Sequence, residues 1–105
     1  MSLEKFYVVG VSYKKAPLSV REDFSLSITS SKALLGHAKE IGITSLLLNS
    51  TCNRTELFGF SDDPKNFTKL LCLFSKGKTD VFNKLGYIIE GSKAIKHIFR
   101  VGSGL

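Results

Sequence analysis

Apolar residues gather in separate stretches along the chain, and the period within each stretch predicts one kind of element. Residues 6–11 are apolar on both faces and rich in β-branched and aromatic side chains, which is typical of a central strand. A helix is predicted next, between candidate N-cap hydroxyls at 29–31 and a stop at Gly42. Its apolar face repeats at helical spacing: Leu34, Leu35, Ala38 and Ile41.

The second half of the chain contains two predicted strands, at 43–48 and 55–60, joined by a short connection at 50–54. A helix then begins within 61–64 and ends near Gly77, followed by a short helix near 81–85 and a strand at 87–89. Ser92 is a candidate cap for a last helix. The apolar face of that helix is Ala94, Ile95, Ile98 and Phe99.

The order strand, helix, strand, strand, helix, strand predicts the split βαβ arrangement of ferredoxin-like domains. We therefore expect an α+β sandwich in which helices cover one face of an antiparallel sheet. A chain of 105 residues fits one such domain. Residues 101–105 carry no stop for the last helix, which predicts a domain boundary there.

The composition adds limits on where the protein works and what it binds. No apolar stretch approaches the ~20 residues of a membrane span, and no leader pattern precedes the first strand, so we expect a cytoplasmic protein without a membrane partner. Fifteen Lys and Arg against nine Asp and Glu give a net charge of +6. That charge suits a polyanionic partner but is equally typical of a solvated basic surface.

The main candidate for a catalytic residue is one cysteine. Cys52 follows a predicted strand, among hydroxyl and amide neighbours, with the cation Arg54 two residues on. A nearby positive charge favours a thiolate, the form that acts as a nucleophile, although a small residue closing a turn is the alternative. Cys72 is predicted on the lysine face of its helix, as an exposed surface thiol. Both cysteines are expected to be free.

Other candidate groups give weaker signals. His37 and His97 each fall at the margin of a helix's apolar face, and periodicity does not choose between them. The cysteine and histidine spacing predicts no metal site, and the sequence has no G-x-G-x-x-G turn or P-loop for a nucleotide.

Three blocks in order along the chain resemble the glutamyl-tRNA reductase family. They are residues 10–22, the segment Ser50-Thr51-Cys52-Asn53-Arg54-Thr55-Glu56-Leu57, and residues 97–101 with Ser103-Gly104-Leu105. The departures are mild: Ser12-Tyr13 where the family often has Asn-His, Phe58 where it has Tyr, and Gly102 where it has Ala.

The resemblance implies a reaction and a role for each site residue. In that family a cysteine thiolate attacks the ester that joins glutamate to its tRNA, and hydride from NADPH reduces the thioester to glutamate-1-semialdehyde for tetrapyrrole synthesis. Cys52 would be the thiolate. Thr51, Asn53 and Arg54 would line the glutamyl pocket, with Arg54 pairing the substrate's side-chain carboxylate. His97 would lie beside the thiol and assist proton transfer.

The resemblance also implies a domain organisation. Residues 1–90 would form the ferredoxin-like catalytic domain and residues 91–105 the start of a spinal helix, with the NADPH domain and a dimerisation domain outside this chain. Glutamyl-tRNA would be the partner, and the whole protein a homodimer. Two other classes remain open from the residues alone: an RNA-binding module of ferredoxin-like fold without catalysis, and a stand-alone cysteine acyl-transferase or redox domain.

Overall fold

The structure, a computed structural model, describes residues 2–102. Ser103-Gly104-Leu105 of the third block, and with them the end of segment 91–105, lie outside the described residues. After a short 3-10 turn at Leu3–Lys5, the elements are β1 (Phe6–Ser12), α1 (Leu18–Phe24), α2 (Ile28–Glu40), β2 (Leu46–Ser50), β3 (Arg54–Phe60), α3 (Lys65–Phe74), α4 (Thr79–Leu85), β4 (Tyr87–Glu90) and α5 (Gly91–Gly102).

The four strands form one antiparallel sheet in the order β2-β3-β1-β4. The first strand, β1, is central and pairs β3 along its whole length, from Phe6 opposite Phe60 to Ser12 opposite Arg54. This order places the two connected strands β2 and β3 side by side. The predicted α+β fold of ferredoxin-like type is confirmed.

The main core lies between the sheet and helices α1 to α4. Alternate residues of β1, such as Val9 and Val11, point to this side and are fully buried there with Leu57 of β3. The helices contribute Phe24, Leu34, Phe67 and Leu71 to the same cluster. Burial of these large side chains is the main favourable contribution to folding.

Helices cover the second face of the sheet as well as the first. The other residues of β1, Phe6 and Val8, are buried beneath α5, in a second cluster centred on Ala94. Because β1 is apolar on both faces, each face needs a cover, and α5 supplies the second. The assignment of segment 91–105 to a spinal helix stays a prediction.

Two element ends differ from the sequence prediction, and a third agrees with it. Helix α2 is capped by Ser27, whose hydroxyl accepts from the Ser30 N–H at 3.0 Å, so residues 29–31 lie inside the helix. Strand β2 begins at Leu46, three residues later than predicted. Gly42 has a φ of +90°, which confirms its predicted place after the end of α2.

Cys72 is also placed differently from the prediction. Its side chain is half-buried and packs against the main core, whereas Cys52 is exposed. Helix α3 lies between α2 and α4, so more than one of its faces contacts a neighbour. The sequence pattern predicts a single apolar face on α3, and the contact with a second neighbouring helix explains why Cys72 is half-buried instead of exposed.

A glycine in β1 should be essential for the packing of this sheet. A Cβ on Gly10 would overlap the Thr55 carbonyl oxygen and approach Glu56 Cγ to 2.9 Å. We expect Gly10→Ala to lower the free energy of unfolding by about 1–3 kcal/mol or more. Gly36→Ala is the matched control, since a Cβ there meets nothing within 4 Å and helix α2 should gain about 0.5–1 kcal/mol. Urea unfolding of both variants checks this, and equal effects would contradict it.

Candidate active site

The turn between β2 and β3 carries the exposed Cys52 and is held in shape by Thr51. The Thr51 hydroxyl accepts from the backbone N–H groups of Asn53 and Arg54, at 3.2 and 3.3 Å. The Thr51 N–H donates to the Arg54 carbonyl at 2.8 Å and closes the turn. A threonine here satisfies backbone donors that a tight turn leaves unpaired. Cys52 is consequently presented at the end of the sheet.

Two neighbouring segments fix the turn from outside. Arg21 of α1 donates through Nε to the Cys52 carbonyl at 3.1 Å and through a terminal nitrogen to the Ala16 carbonyl at 2.8 Å. The Tyr13 N–H donates to the Asn53 carbonyl at 2.8 Å. The first sequence block therefore builds the support of the second, although the two are some thirty residues apart in the chain.

Arg54 is buried at the start of β3, with 8% of the residue exposed. A terminal nitrogen of its guanidinium lies 3.8 Å from a Glu56 carboxylate oxygen, and its central carbon lies 5.8 Å from the centre of the Tyr13 ring. A buried guanidinium needs a counter-charge and a stacking surface, and these two residues supply them. Its planar donors remain suited to a second carboxylate.

Glu56 is the centre of this buried polar group. Its side chain is 3% exposed, and one carboxylate oxygen accepts from the Tyr87 hydroxyl at 2.6 Å and from His97 Nε2. Glu56, Gly10 and Tyr87 lie in register across β3, β1 and β4. Since Gly10 has no side chain, Tyr87 reaches across β1 to the carboxylate.

His97 was predicted to lie beside the thiol. Within residues 2–102 its Nε2 bonds Glu56 rather than Cys52, and its ring lies 5.8 Å from that of Tyr87. A carboxylate only accepts hydrogen bonds, so His97 donates through Nε2. The other candidate, His37, contacts the Phe74 ring and pairs Glu40 at 3.8 Å, on α2.

Glu56 and Tyr87 are not among the site residues that the sequence predicts. Glu56 stands two residues after Arg54 in a strand, so the two share a face of the sheet. A cation and a carboxylate on one face of an apolar strand are a signal of a buried pair. Tyr87 gives no such signal, because its partner is set by register across three strands.

Burial and then the hydrogen bond to Glu56 raise the pKa of the Tyr87 hydroxyl well above its usual range. The phenol is therefore held in its neutral, donating form at any physiological pH. No group of three or more His, Cys, Asp or Glu side chains is placed to hold a metal ion in the described part of the chain. None of the helices within residues 2–102 is both long and apolar enough to cross a membrane.

Fold and site together define an α+β domain that presents an exposed cysteine at the end of its sheet, beside a buried arginine, an arrangement suited to thiol-dependent acyl transfer. The sequence model of the family described as glutamyl-tRNA(Glu) reductase, N-terminal domain, matches residues 9–105. The chain belongs to this family.

Individual relatives agree with the family match. Over 100 residues the chain is 48% identical to the glutamyl-tRNA reductase of Christiangramia forsetii and 47% identical to that of Flavobacterium psychrophilum, covering 95% of this chain and 24% of each relative. The structure of glutamyl-tRNA reductase from Methanopyrus kandleri superposes with a TM-score of 0.73 at 25% identity, covering 97% of this chain and 23% of that one. The chain thus spans about a quarter of these proteins' length.

The raised pKa of Tyr87, which is buried and hydrogen-bonded to Glu56, predicts that the folded protein loses stability in alkali. Because the folded-state pKa of Tyr87 is raised, its contribution is fully present below the unfolded pKa of about 10 and is lost as the pH rises further. Above about pH 10 this one group should lower the free energy of unfolding by up to ~1.4 kcal/mol per pH unit. Urea unfolding at pH 7 to 11.5 of the parent and Tyr87→Phe measures it. All other titrating groups are common to both proteins. If the free energy of unfolding fell with pH at the same rate in both, the raised pKa of Tyr87 would be contradicted.

Proposed function

We propose that Cys52 accepts the glutamyl group of glutamyl-tRNA as a thioester. The Cys52 thiolate sulfur forms a bond to the ester carbonyl carbon, and the bond from that carbon to the ribose oxygen breaks. The tRNA hydroxyl leaves with a proton. The exposure of Cys52 on a turn fixed by Thr51, Arg21 and Tyr13 is the observation that carries this proposal. A rigid, accessible nucleophile is what a positioned acyl transfer requires.

Arg54 is proposed to recognise the side-chain carboxylate of the glutamyl group. Its guanidinium is held by Glu56 and the Tyr13 ring, so little rotational freedom is lost when a substrate binds. Thr51 and Asn53 complete the substrate-binding turn, Thr51 through its backbone contacts and Asn53 as an exposed amide next to the thiol. The geometry supports recognition by two parallel N–H donors of Arg54.

His97 is proposed to carry a proton at this site. Glu56 orients its imidazole through Nε2, which leaves Nδ1 as the nitrogen for proton exchange. The bond also links α5 to the strand that begins at Arg54. A change in the position of α5 would therefore alter the position of the substrate-binding turn.

The reductive half of the family's reaction is not assigned to residues of this chain. Gly10 and Gly59 lie inside strands, closely packed against the backbone of neighbouring strands, and do not form a phosphate-binding turn within residues 2–102. We propose that NADPH binds a part of the protein outside these residues and that the whole protein forms glutamate-1-semialdehyde. The homodimer and the cytoplasmic location stay predictions.

Arg54→Lys tests the proposed substrate pairing. The substrates are small activated thioesters of glutamate and of glutamine, which differ only in side-chain charge and should acylate Cys52 without any RNA. We expect the variant to lose about 10- to 100-fold in acylation rate with the glutamyl compound, because a lysine is a point charge that does not form two parallel bonds. The glutaminyl compound should react at nearly the parent rate. Intact-protein mass spectrometry follows both reactions.

Two control variants separate the function from the fold. Cys52→Ser should abolish thioester formation, while Cys72→Ser should retain it, since Cys72 packs against the core. Acylation that survives Cys52→Ser would overturn the proposed nucleophile. An equal loss with both thioesters in Arg54→Lys would show that Arg54 supports the turn rather than the substrate carboxylate.

A further inference from the structure

The Cys52 turn joins β2 to β3 at one end of the sheet, so it borders both faces of the sheet. In the register of β1 and β3, Arg54 and Glu56 pair with Ser12 and Gly10 on the α5 face. Thr55, between them, points to the opposite face, where its hydroxyl bonds that of Ser50 at 3.0 Å. A molecule bound at Cys52 can therefore extend to either face.

On the α1 face a cleft of about 360 Å³ opens directly beside Cys52. Its lining includes Leu18, Arg21, Glu22, Ser25 and Thr51. The volume lies within the range of about 300–1,000 Å³ found for small-molecule sites. A larger cleft, of about 480 Å³, is lined by Lys5 and Asp62 at the far end of the sheet and contains neither cysteine nor histidine.

Arg21 gives the cleft beside Cys52 a fixed donor. A guanidinium has five N–H groups. Two are bonded to the carbonyls of Cys52 and Ala16, which leaves three without an acceptor in the part of the chain that the structure describes. Those two bonds hold the charged group at the mouth of the cleft. Arginine fixed in this way is well suited to an anionic oxygen, a phosphate above all.

Leu18 and Glu22 add two further kinds of contact. Leu18 lies at the start of α1 with 54% of its surface exposed, an apolar surface that a planar ring can cover. The exposed carboxylate of Glu22 accepts hydrogen bonds from hydroxyl or amino groups. The cleft thus combines a cation, an apolar wall and an acceptor, beside a nucleophile.

We propose that this cleft binds the 3′-terminal nucleotide of the tRNA, with Arg21 on its phosphate and Leu18 against its base. The inference rests on the proposed function. An ester has an acyl side and an alcohol side, and both must lie next to the attacking sulfur. Arg54 takes the acyl side on the α5 face, so the ribose and its phosphate occupy the α1 face. The net charge of +6 favours the rest of the polyanion.

Leu18→Glu tests this assignment by placing a carboxylate where the nucleotide would bind. An acidic residue in the first turn of α1 is compatible with the helix dipole, so the variant should fold, which circular dichroism checks. The measured quantity is the ratio of two rates of Cys52 acylation, by glutamyl-tRNA and by the small glutamyl thioester. We expect this ratio to fall about tenfold, because the apolar contact of Leu18 with the base is lost and the new carboxylate repels the phosphate.

Leu73→Glu is the matched control, because Leu73 is an equally apolar and exposed residue (63%) on α3. The ratio of the two acylation rates in Leu73→Glu should equal that of the parent. The nucleotide assignment is overturned if Leu18→Glu leaves the ratio unchanged, whether both rates stay the same or both fall together. Failure of the parent chain to be acylated by either compound is a different result, which overturns the proposed function and this inference with it.

Discussion

A carboxylate buried inside a sheet needs donor side chains as partners. Glu56 has three of them, from three different elements. Arg54 comes from its own strand, Tyr87 from β4 and His97 from α5. The arrangement depends on Gly10, because any side chain there would fill the space across which Tyr87 reaches. Removing one partner of such a group costs more than the bond itself, since the others remain buried without it.

The same carboxylate connects the two parts of the candidate site. It pairs with the guanidinium that is proposed to bind the substrate carboxylate, and through His97 it contacts the helix that covers the second face of the sheet. The turn with Cys52 is also bonded by the Arg21 side chain and by the Tyr13 N–H. Tyr13 thus supports both proposed groups, the Cys52 turn through its backbone N–H and the Arg54 guanidinium through its ring.

Local patterns were sufficient to predict most of the fold. The alternation in β3, the helical spacing in α2 and the stop at Gly42 each depend on neighbours in the chain, and they gave the correct element types. The half-burial of Cys72 and the bond of His97 to Glu56 depend instead on which helix packs on which face. Neither follows from periodicity, because the spacing of apolar residues predicts the apolar face of a helix but not how many neighbouring elements contact that helix.

The central claim is that Glu56 ties α5 to the strand that carries Arg54, and hydrogen–deuterium exchange of Glu56→Gln tests it most directly. Backbone amides around His97 and in residues 51–56 should exchange faster than in the parent, by about tenfold for a loss of roughly 1–2 kcal/mol in local stability. Glu40→Gln, at an exposed carboxylate paired with His37, is the matched control and should leave both regions unchanged. Exchange in α5 that is the same in both variants would contradict the claim.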